Sequence, residues 1–264
     1  FGGLIKRLGK EAVDLPLLQV RDVKKVTMVV ISGDRGLCGS YNSYIIKKAE
    51  ARFNELKSKG IEVDMICVGK KADAFLRRRD YPISKYYDCG QNPNAEEATA
   101  ISDELLAKYL SGETDSVELL YTRFVSLIAS EPAARTLLPL SATGIESEGD
   151  EIFQLTSQDG DFAVSTTDGK AAEPQEFPPD MIFEQDPVQI LNAILPLYLN
   201  GQLLRTLQES VASELAARMQ SMQSASDNAG ELADKLSMQY NRARQAAVTQ
   251  ELLEIVAGAA AIEG

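Results

Sequence analysis

The last third of the chain constrains its fold more than any other part. Asp186-Pro187-Val188-Gln189 reads as a helix start, with Asp at the N-cap, Pro at the first helical position and Gln three residues after the Asp. After Pro187 the one remaining proline is Pro196, which removes a backbone donor and predicts a kink in the early turns. Beyond it, apolar or small residues recur at Leu204, Leu207, Val211, Leu215, Met219, Met222, Ala225, Ala229, Leu232, Leu236, Tyr240, Ala243 and Ala247. The steps are threes and fours, averaging ~3.6, the helical period. At ~1.5 Å per residue a helix over 186–262 would reach roughly 100 Å, far beyond the mean globular helix of ~11 residues. One apolar stripe on so long a rod outruns a small domain. It requires a long partner helix, from another chain or from a part of the protein outside this sequence.

The middle of the stripe is built from Ala, Ser and Met, as in Ala212-Ser213-Glu214-Leu215-Ala216-Ala217-Arg218-Met219 and again over Ser221 to Ala229. Small residues make a slim rod, and Met adapts to shifting surfaces. Two readings stand at this point: an ordinary long coiled-coil helix, or a rod that turns or slides inside a sleeve.

Composition narrows the function classes. The net charge of -12 is concentrated between Ser141 and Pro187, where twelve Asp and Glu face a single basic residue, Lys170. The remainder is close to neutral, which argues against nucleic acid as a partner. There is no His, which removes Ser-His-Asp and Cys-His catalysis and the commonest zinc ligand. The three cysteines, Cys38, Cys67 and Cys89, are odd in number, lack metal-ligand spacing and fit a reducing compartment. No stretch reaches the ~18 consecutive apolar residues of a membrane span. The start, Phe1-Gly2-Gly3-Leu4-Ile5-Lys6-Arg7-Leu8, lacks signal-peptide features and a Met, as expected of a processed or incompletely represented chain.

Ahead of the long helix the pattern is α/β. Val26 to Ile31 is a continuous β-branched run, as in a buried parallel strand. A helix is predicted over 41–59, a second buried strand over 63–68 and a helix over 70–79. Asn94 and Glu97 form a capping box for a helix reaching Leu110. Val117–Tyr121 and Phe124–Ile128 read as strands, with another possible at Leu137–Leu140. This order predicts a small open α/β sheet. The acidic stretch 141–179 has few large apolar residues. Ile152–Leu155 and Phe162–Val164 flank Gln158-Asp159-Gly160-Asp161, which suggests a β-hairpin.

The loop after the first strand, Gly33-Asp34-Arg35-Gly36-Leu37-Cys38-Gly39, is where a phosphate would bind if one did. It has neither a P-loop ending nor Rossmann glycine spacing. A tight turn using glycine's positive φ is the better reading. Cys38, near a helix N-terminus, has no histidine to serve as its base. The polar side chains Arg242, Arg244, Gln245, Thr249, Glu251 and Glu254 near the C-terminus suit either a solvated helix face or contacts to a surrounding protein. A small α/β metabolite-binding enzyme with a dimerising coiled coil is the alternative from these features.

The GDRGLCG loop, followed by Tyr41-Asn42, resembles that of the gamma subunit of rotary F-type ATP synthases, of the photosynthetic (chloroplast or cyanobacterial) type. Val248–Ala261 is similar to that family's C-terminal signature, and Ala212–Met219 and Tyr240–Ala246 also resemble it. The resemblance covers about residues 20–262. It implies a small open Rossmann-like sheet domain and a very long C-terminal helix, paired in an antiparallel coiled coil with an N-terminal helix absent from this chain. The organisation it implies is the end of an N-terminal segment (1–19), an α/β domain (20–140), an acidic insertion with a hairpin (141–185) and the long helix (186–264). The implied function is a central rotor shaft that is not itself catalytic and carries no cofactor or metal. Its implied partners are the alpha and beta subunits of the catalytic ring, the epsilon subunit and the membrane c-ring, with no nucleic acid. Its implied place is the thylakoid membrane, on the stromal side in a chloroplast or the cytoplasmic side in a cyanobacterium, peripheral through the complex. By the same resemblance Arg218, Arg244, Gln245, Thr249 and Glu251 match positions where the shaft touches the ring. The insertion resembles the segment that carries a cysteine-pair redox switch in green plants and green algae, but here it holds no cysteine, so no dithiol switch is expected.

Overall fold

The computed structural model describes residues 17, 21–88, 90–140, 151–158, 161–168 and 187–263. The chain divides into two units, the first ending at Ala217 and the second running from Arg218.

The first unit is built on a five-stranded sheet. Its strands are β1 (Lys25–Ile31), β2 (Glu62–Val68), β3 (Ile83–Tyr87), β4 (Ser116–Phe124) and β5 (Ser130–Leu138), in the order β3-β2-β1-β4-β5. The first four are parallel, and β5 returns antiparallel to β4. Connecting them are α1 (Tyr41–Ser58), α2 (Lys70–Arg77) and α3 (Ala95–Leu110). The chain thus steps outward from β1 to β2 and β3, then crosses back to place β4 on the other side of β1. The carboxyl ends of β1 and β4 form the point where the strand order reverses.

Side chains of β1 alternate between two cores. Val26, Met28 and Val30 pack with Ile45, Ile46 and Ala49 of α1 and Ala72 and Leu76 of α2. Val29 and Ile31 pack on the opposite face with Ile101 and Leu105 of α3. Both faces being covered explains why β1 reads as an unbroken apolar run. The predicted capping box is present: Asn94 Oδ1 accepts from Glu97 N at 2.9 Å, and Glu97 Oε2 accepts from Asn94 N at 3.3 Å.

The long helix α4 runs from Pro187 to Glu263 and continues through Pro196. Asp186, read as its N-cap, lies outside the described residues. Within the first unit α4 packs on the α3 side of the sheet. Leu191, Leu195, Leu199, Leu203, Leu207 and Val211 are all buried there. Each such side chain contributes about 2 kcal/mol of transfer free energy. The strict i+4 spacing drifts about 40° per step around a straight helix, so the contact line winds as the twisted sheet beneath it does. This corrects one expectation. The early part of the stripe needs no outside partner, because the chain's own sheet covers it as far as Val211.

Three local readings also change. β3 was not foreseen, because Ile83-Ser84-Lys85-Tyr86-Tyr87 is a half-exposed edge strand without an apolar run. The two strands expected over 117–128 are one strand, β4, ending at Phe124, where Val125 and Ser126 donate their N–H groups to Ala129 O and turn the chain. β5 occupies Ser130–Leu138, seven residues earlier than the apolar signal at Leu137, because its first half is an exposed edge. The hairpin is present in the backbone as β6 (Glu151–Gln158) and β7 (Asp161–Asp168), antiparallel with Gln158 opposite Asp161.

One glycine is fixed by a backbone approach. Gly69 has φ 103°, and a Cβ there would stand 2.1 Å from Ser32 O. Gly60 also has positive φ, at 75°, but faces open space. Gly69→Ala is therefore expected to destabilise the fold by about 3 kcal/mol or more. Gly60→Ala should cost only about 1 kcal/mol, the left-handed penalty alone. Urea unfolding of the two variants measures the difference; equal midpoints would refute the contact argument.

Candidate functional site

The carboxyl edge of β1 and β4 is where open α/β sheets hold ligands. Here the chain fills it with its own side chains. Asp34 Oδ1 accepts from Lys70 N at 2.8 Å, so a carboxylate sits on the N-terminus of α2. That helix has Gly69 at its cap and no capping side chain of its own. Asp34 thereby supplies the negative charge that a helix N-terminus attracts. Ser32 Oγ accepts a second N–H of the same turn, from Ala72, at 3.0 Å.

Asn42, in the first turn of α1, holds the loop's shape. Its Oδ1 accepts from Gly33 N at 2.9 Å, and its Nδ2 donates to Arg35 O at 3.2 Å and to Cys38 Sγ at 3.1 Å. The positive-φ reading of the loop glycines holds at Gly39 (φ 55°) but not at Gly33 or Gly36, and Leu37 takes a left-handed conformation (φ 62°) instead. Gly33 is needed for a different reason. A Cβ on Gly33 would lie 2.7 Å from both Cδ and Oε2 of Glu214 and 3.0 Å from its Oε1. Glu214 belongs to α4 and is only 6% exposed. Three helices therefore meet at Gly33: α1 through Asn42, α2 through Lys71 N, which donates to Gly33 O at 3.2 Å, and α4 through Glu214.

Around Glu214 the same stretch of α4 is tied to the sheet by polar contacts. Tyr41 donates its hydroxyl to Ser210 O at 3.0 Å, and Phe124 N donates to Glu209 Oε1 at 3.1 Å. The Ser213 hydroxyl lies 3.2 Å from Thr122 O and 3.0 Å from Glu209 O. An external phosphate at this edge would meet two carboxylates, Asp34 and Glu214, which repel it. The GDRGLCG loop builds a junction for a helix.

The residues picked out near the C-terminus lie on the second unit. Arg218 is half-buried, whereas Arg244, Gln245, Thr249 and Glu251 are exposed. Thr249 Oγ1 donates to Gln245 O at 2.8 Å, one turn back. By the ~100° per residue of an α-helix, Arg244 and Glu251 share one line and Gln245 and Thr249 a second about 120° away. The set is thus a broad face of one helix, and it is not drawn into a pocket. Among the described residues there is no cluster of three or more His, Cys, Asp or Glu that could hold a metal. No described helix is long and apolar enough to cross a membrane.

Comparison with known proteins identifies the family. A family model described as ATP synthase matches residues 3–262. The chain is 70% identical over 263 residues to the chloroplastic ATP synthase gamma chain of Trieres chinensis, covering all of this chain and 71% of that one. The same figures hold for Phaeodactylum tricornutum. The chain belongs to the ATP synthase gamma chain family. The cyanobacterial gamma chain of Acaryochloris marina is 57% identical over 262 residues, covering 98% of this chain and 83% of that one. Among solved structures, the Tetrahymena thermophila mitochondrial ATP synthase central stalk and c-ring contains a chain with a TM-score of 0.58 at 23% identity. That match covers 85% of this chain and 87% of the other, and shows the same fold. A chain of the Euglena gracilis mitochondrial ATP synthase matches 98% of this chain and 83% of its own length, with a TM-score of 0.57 at 18% identity.

The contacts between the loop, the sheet and α4 were missed from sequence because they join residues from 85 to 181 positions apart. The readable part of the signal was Asn42, nine residues after Gly33 and in the first turn of a helix. The two described cysteines, Cys38 and Cys67, are buried. Burial pushes the Cys67 thiol up to about 12, so it carries essentially no thiolate at pH 8. Native protein at pH 8 should leave Cys38 and Cys67 unlabelled by maleimide over minutes, while protein in denaturant labels both. Peptide mapping that found either labelled at the denatured rate would contradict this packing.

Proposed function

We propose that this gamma chain is the central rotor shaft of an F-type ATP synthase, carrying rotation of a proton-driven c-ring into a catalytic ring of alternating alpha and beta subunits. The observation that carries the reading is the second unit. From Met222 to Ile262 every residue of α4 is exposed. Along that stretch Leu232, Leu236, Tyr240, Val248, Leu252 and Ile255 leave large apolar side chains in water. Roughly 60 Å of such helix is a surface built to be enclosed. An N-terminal helix outside this sequence, antiparallel to α4, and a sleeve of ring subunits would enclose it. The α/β portion (20–140), the acidic insertion (141–185) and the shaft helix (186–264), after the end of an N-terminal segment (1–19), make up its working parts.

In this reading the chain itself is not catalytic. Its α/β crevice is occupied by Asp34 and Glu214, which disfavours a metabolite-binding enzyme. Nucleotide chemistry belongs to the beta subunits, and the foot of the shaft meets the epsilon subunit and the c-ring. Identity is higher to the chloroplastic relatives than to the Acaryochloris marina one, 70% against 57%, which favours the stromal side of a chloroplast thylakoid membrane, held there through the complex. Arg218, Arg244, Gln245, Thr249 and Glu251 are the contacts to the ring.

The test is a tagged full-length protein recovered from source membranes with its complex. Native mass spectrometry should find one copy per ring of larger nucleotide-bearing subunits; a homodimer would refute the reading. In the same complex, Gln245→Ala with Thr249→Ala should lower ATP-driven turnover by about tenfold or block assembly, since helix contacts of this kind carry about 1–2 kcal/mol. Unchanged coupled ATP synthesis in the double variant would remove these residues from the coupling face.

The acidic stretch from Ser141 to Pro187 contains no cysteine. Thiol reductant should therefore cause no change in the ATPase rate of the assembled complex that depends on this segment. A reductant-dependent change that vanished on deleting 141–179 would show a redox switch of another kind there.

A further inference from the structure

Torque can pass along a helix only if the helix cannot turn about its own axis at its seat. The buried line Leu191 to Val211 resists this, because turning the helix would draw those side chains out of the core. A side chain keyed into anchored backbone adds a second, geometric stop. We infer that Glu214, seated against the Cα of Gly33, is the positioning residue that locks the rotational setting of α4 to the sheet and so carries torque between them. The inference rests on the shaft reading above.

Three observations support it. First, the cradle is stiff. Gly33 N is held by Asn42 Oδ1 at 2.9 Å, and Gly33 O by Lys71 N at 3.2 Å, so the peptide is anchored from two helices. Second, the carboxylate sits close against the glycine. Cδ, Oε1 and Oε2 of Glu214 all lie within 3.0 Å of the place a Cβ would take, and the side chain is buried. Third, the key sits at the end of the seat, three residues before Ala217, where the first unit ends. Turning α4 by one residue, about 100°, would bring Ser213 or Leu215 to the cradle in place of Glu214. Leu215 would place a branched apolar group on anchored peptide, and Ser213 would leave a void. The carboxylate stands some 6 Å or more from the helix axis, so it resists rotation with a lever arm that backbone contacts on the helix cylinder lack. The contacts of Ser210, Glu209 and Ser213 tie the same turn and the turn before it to the rest of the first unit.

The experiment uses the full complex reconstituted in vesicles, reading protons pumped per ATP hydrolysed. Glu214→Ala is expected to keep ATP hydrolysis while the pumping ratio falls by about threefold or more, within the range by which single residues alter coupling. Glu214→Gln, which keeps the shape, is expected to retain the ratio. Gly33→Ala, which pushes on the same carboxylate from the other side, is expected to lower the ratio as Glu214→Ala does, and it serves if that variant does not assemble. A wild-type ratio in both Glu214→Ala and Gly33→Ala would overturn the lock while leaving the shaft reading intact. A Glu214→Gln ratio as low as that of Glu214→Ala would overturn a lock made by shape. Wild-type complex that pumped equally well without this chain would refute the shaft reading itself.

Discussion

In the first unit three helices are tied together at one backbone position, Gly33. A parallel sheet leaves its strand ends as a row of loops, and loops move unless something ties them. Here the first loop is tied three times over. Asn42 of α1 and Lys71 N of α2 fix its peptide, and Glu214 of α4 covers the face where any other residue would carry a Cβ. Asp34, one residue on, anchors α2 by its first N–H. The glycine is thus a place of close approach, a requirement different from the positive φ that glycines in loops usually serve.

A doubly wound sheet ordinarily leaves a crevice at its switch point and uses it for a ligand. This chain has closed that crevice with its own carboxylates. Electrostatically the exchange is coherent. The N-terminus of α2 favours an anion, and Asp34 supplies one permanently. The nucleotide-binding reading of the loop was therefore weak for a reason that spacing alone only hinted at: the loop's acidic residue occupies the position a phosphate would take. The same fold that elsewhere grips a small molecule here grips a helix, and function has to be argued from the site for that reason.

The strongly periodic features were legible from sequence, and the relational ones were not. The run Val26–Ile31, the capping box at Asn94 and the helix from Pro187 are local signals, set by neighbours a few residues away. Edge strands were missed because β3 and the first half of β5 expose one face and carry no apolar run. The early coverage of α4 was missed because the stripe looks the same whether a sheet or a helix lies against it; only the packing of Leu191–Val211 on the α3 face of the sheet decides. The junction at Gly33 was out of reach for a similar reason, since nothing near Glu214 in the chain reports what its carboxylate will touch.

The contrast between the two units follows from how each is stabilised. Up to Val211, α4 gains its stability from burial against a sheet that the same chain supplies. Among the described residues, the support beyond Met222 is helix propensity and side-chain pairs one turn apart, such as Gln223 to Asp227 and Gln250 to Glu254. Pairs of that kind contribute only about 0.2–0.5 kcal/mol each. A helix so weakly supported, yet lined with Leu, Tyr, Val and Ile, leaves much of its stabilisation to whatever encloses it. One end is therefore made rigid by the chain itself and the other left to its partners, and the turn that carries Glu214 is where the first regime ends. On the proposed shaft reading, a helix turned at one end and enclosed at the other needs this division, and a lock at Glu214 would stand at the last point where the chain's own sheet can hold it.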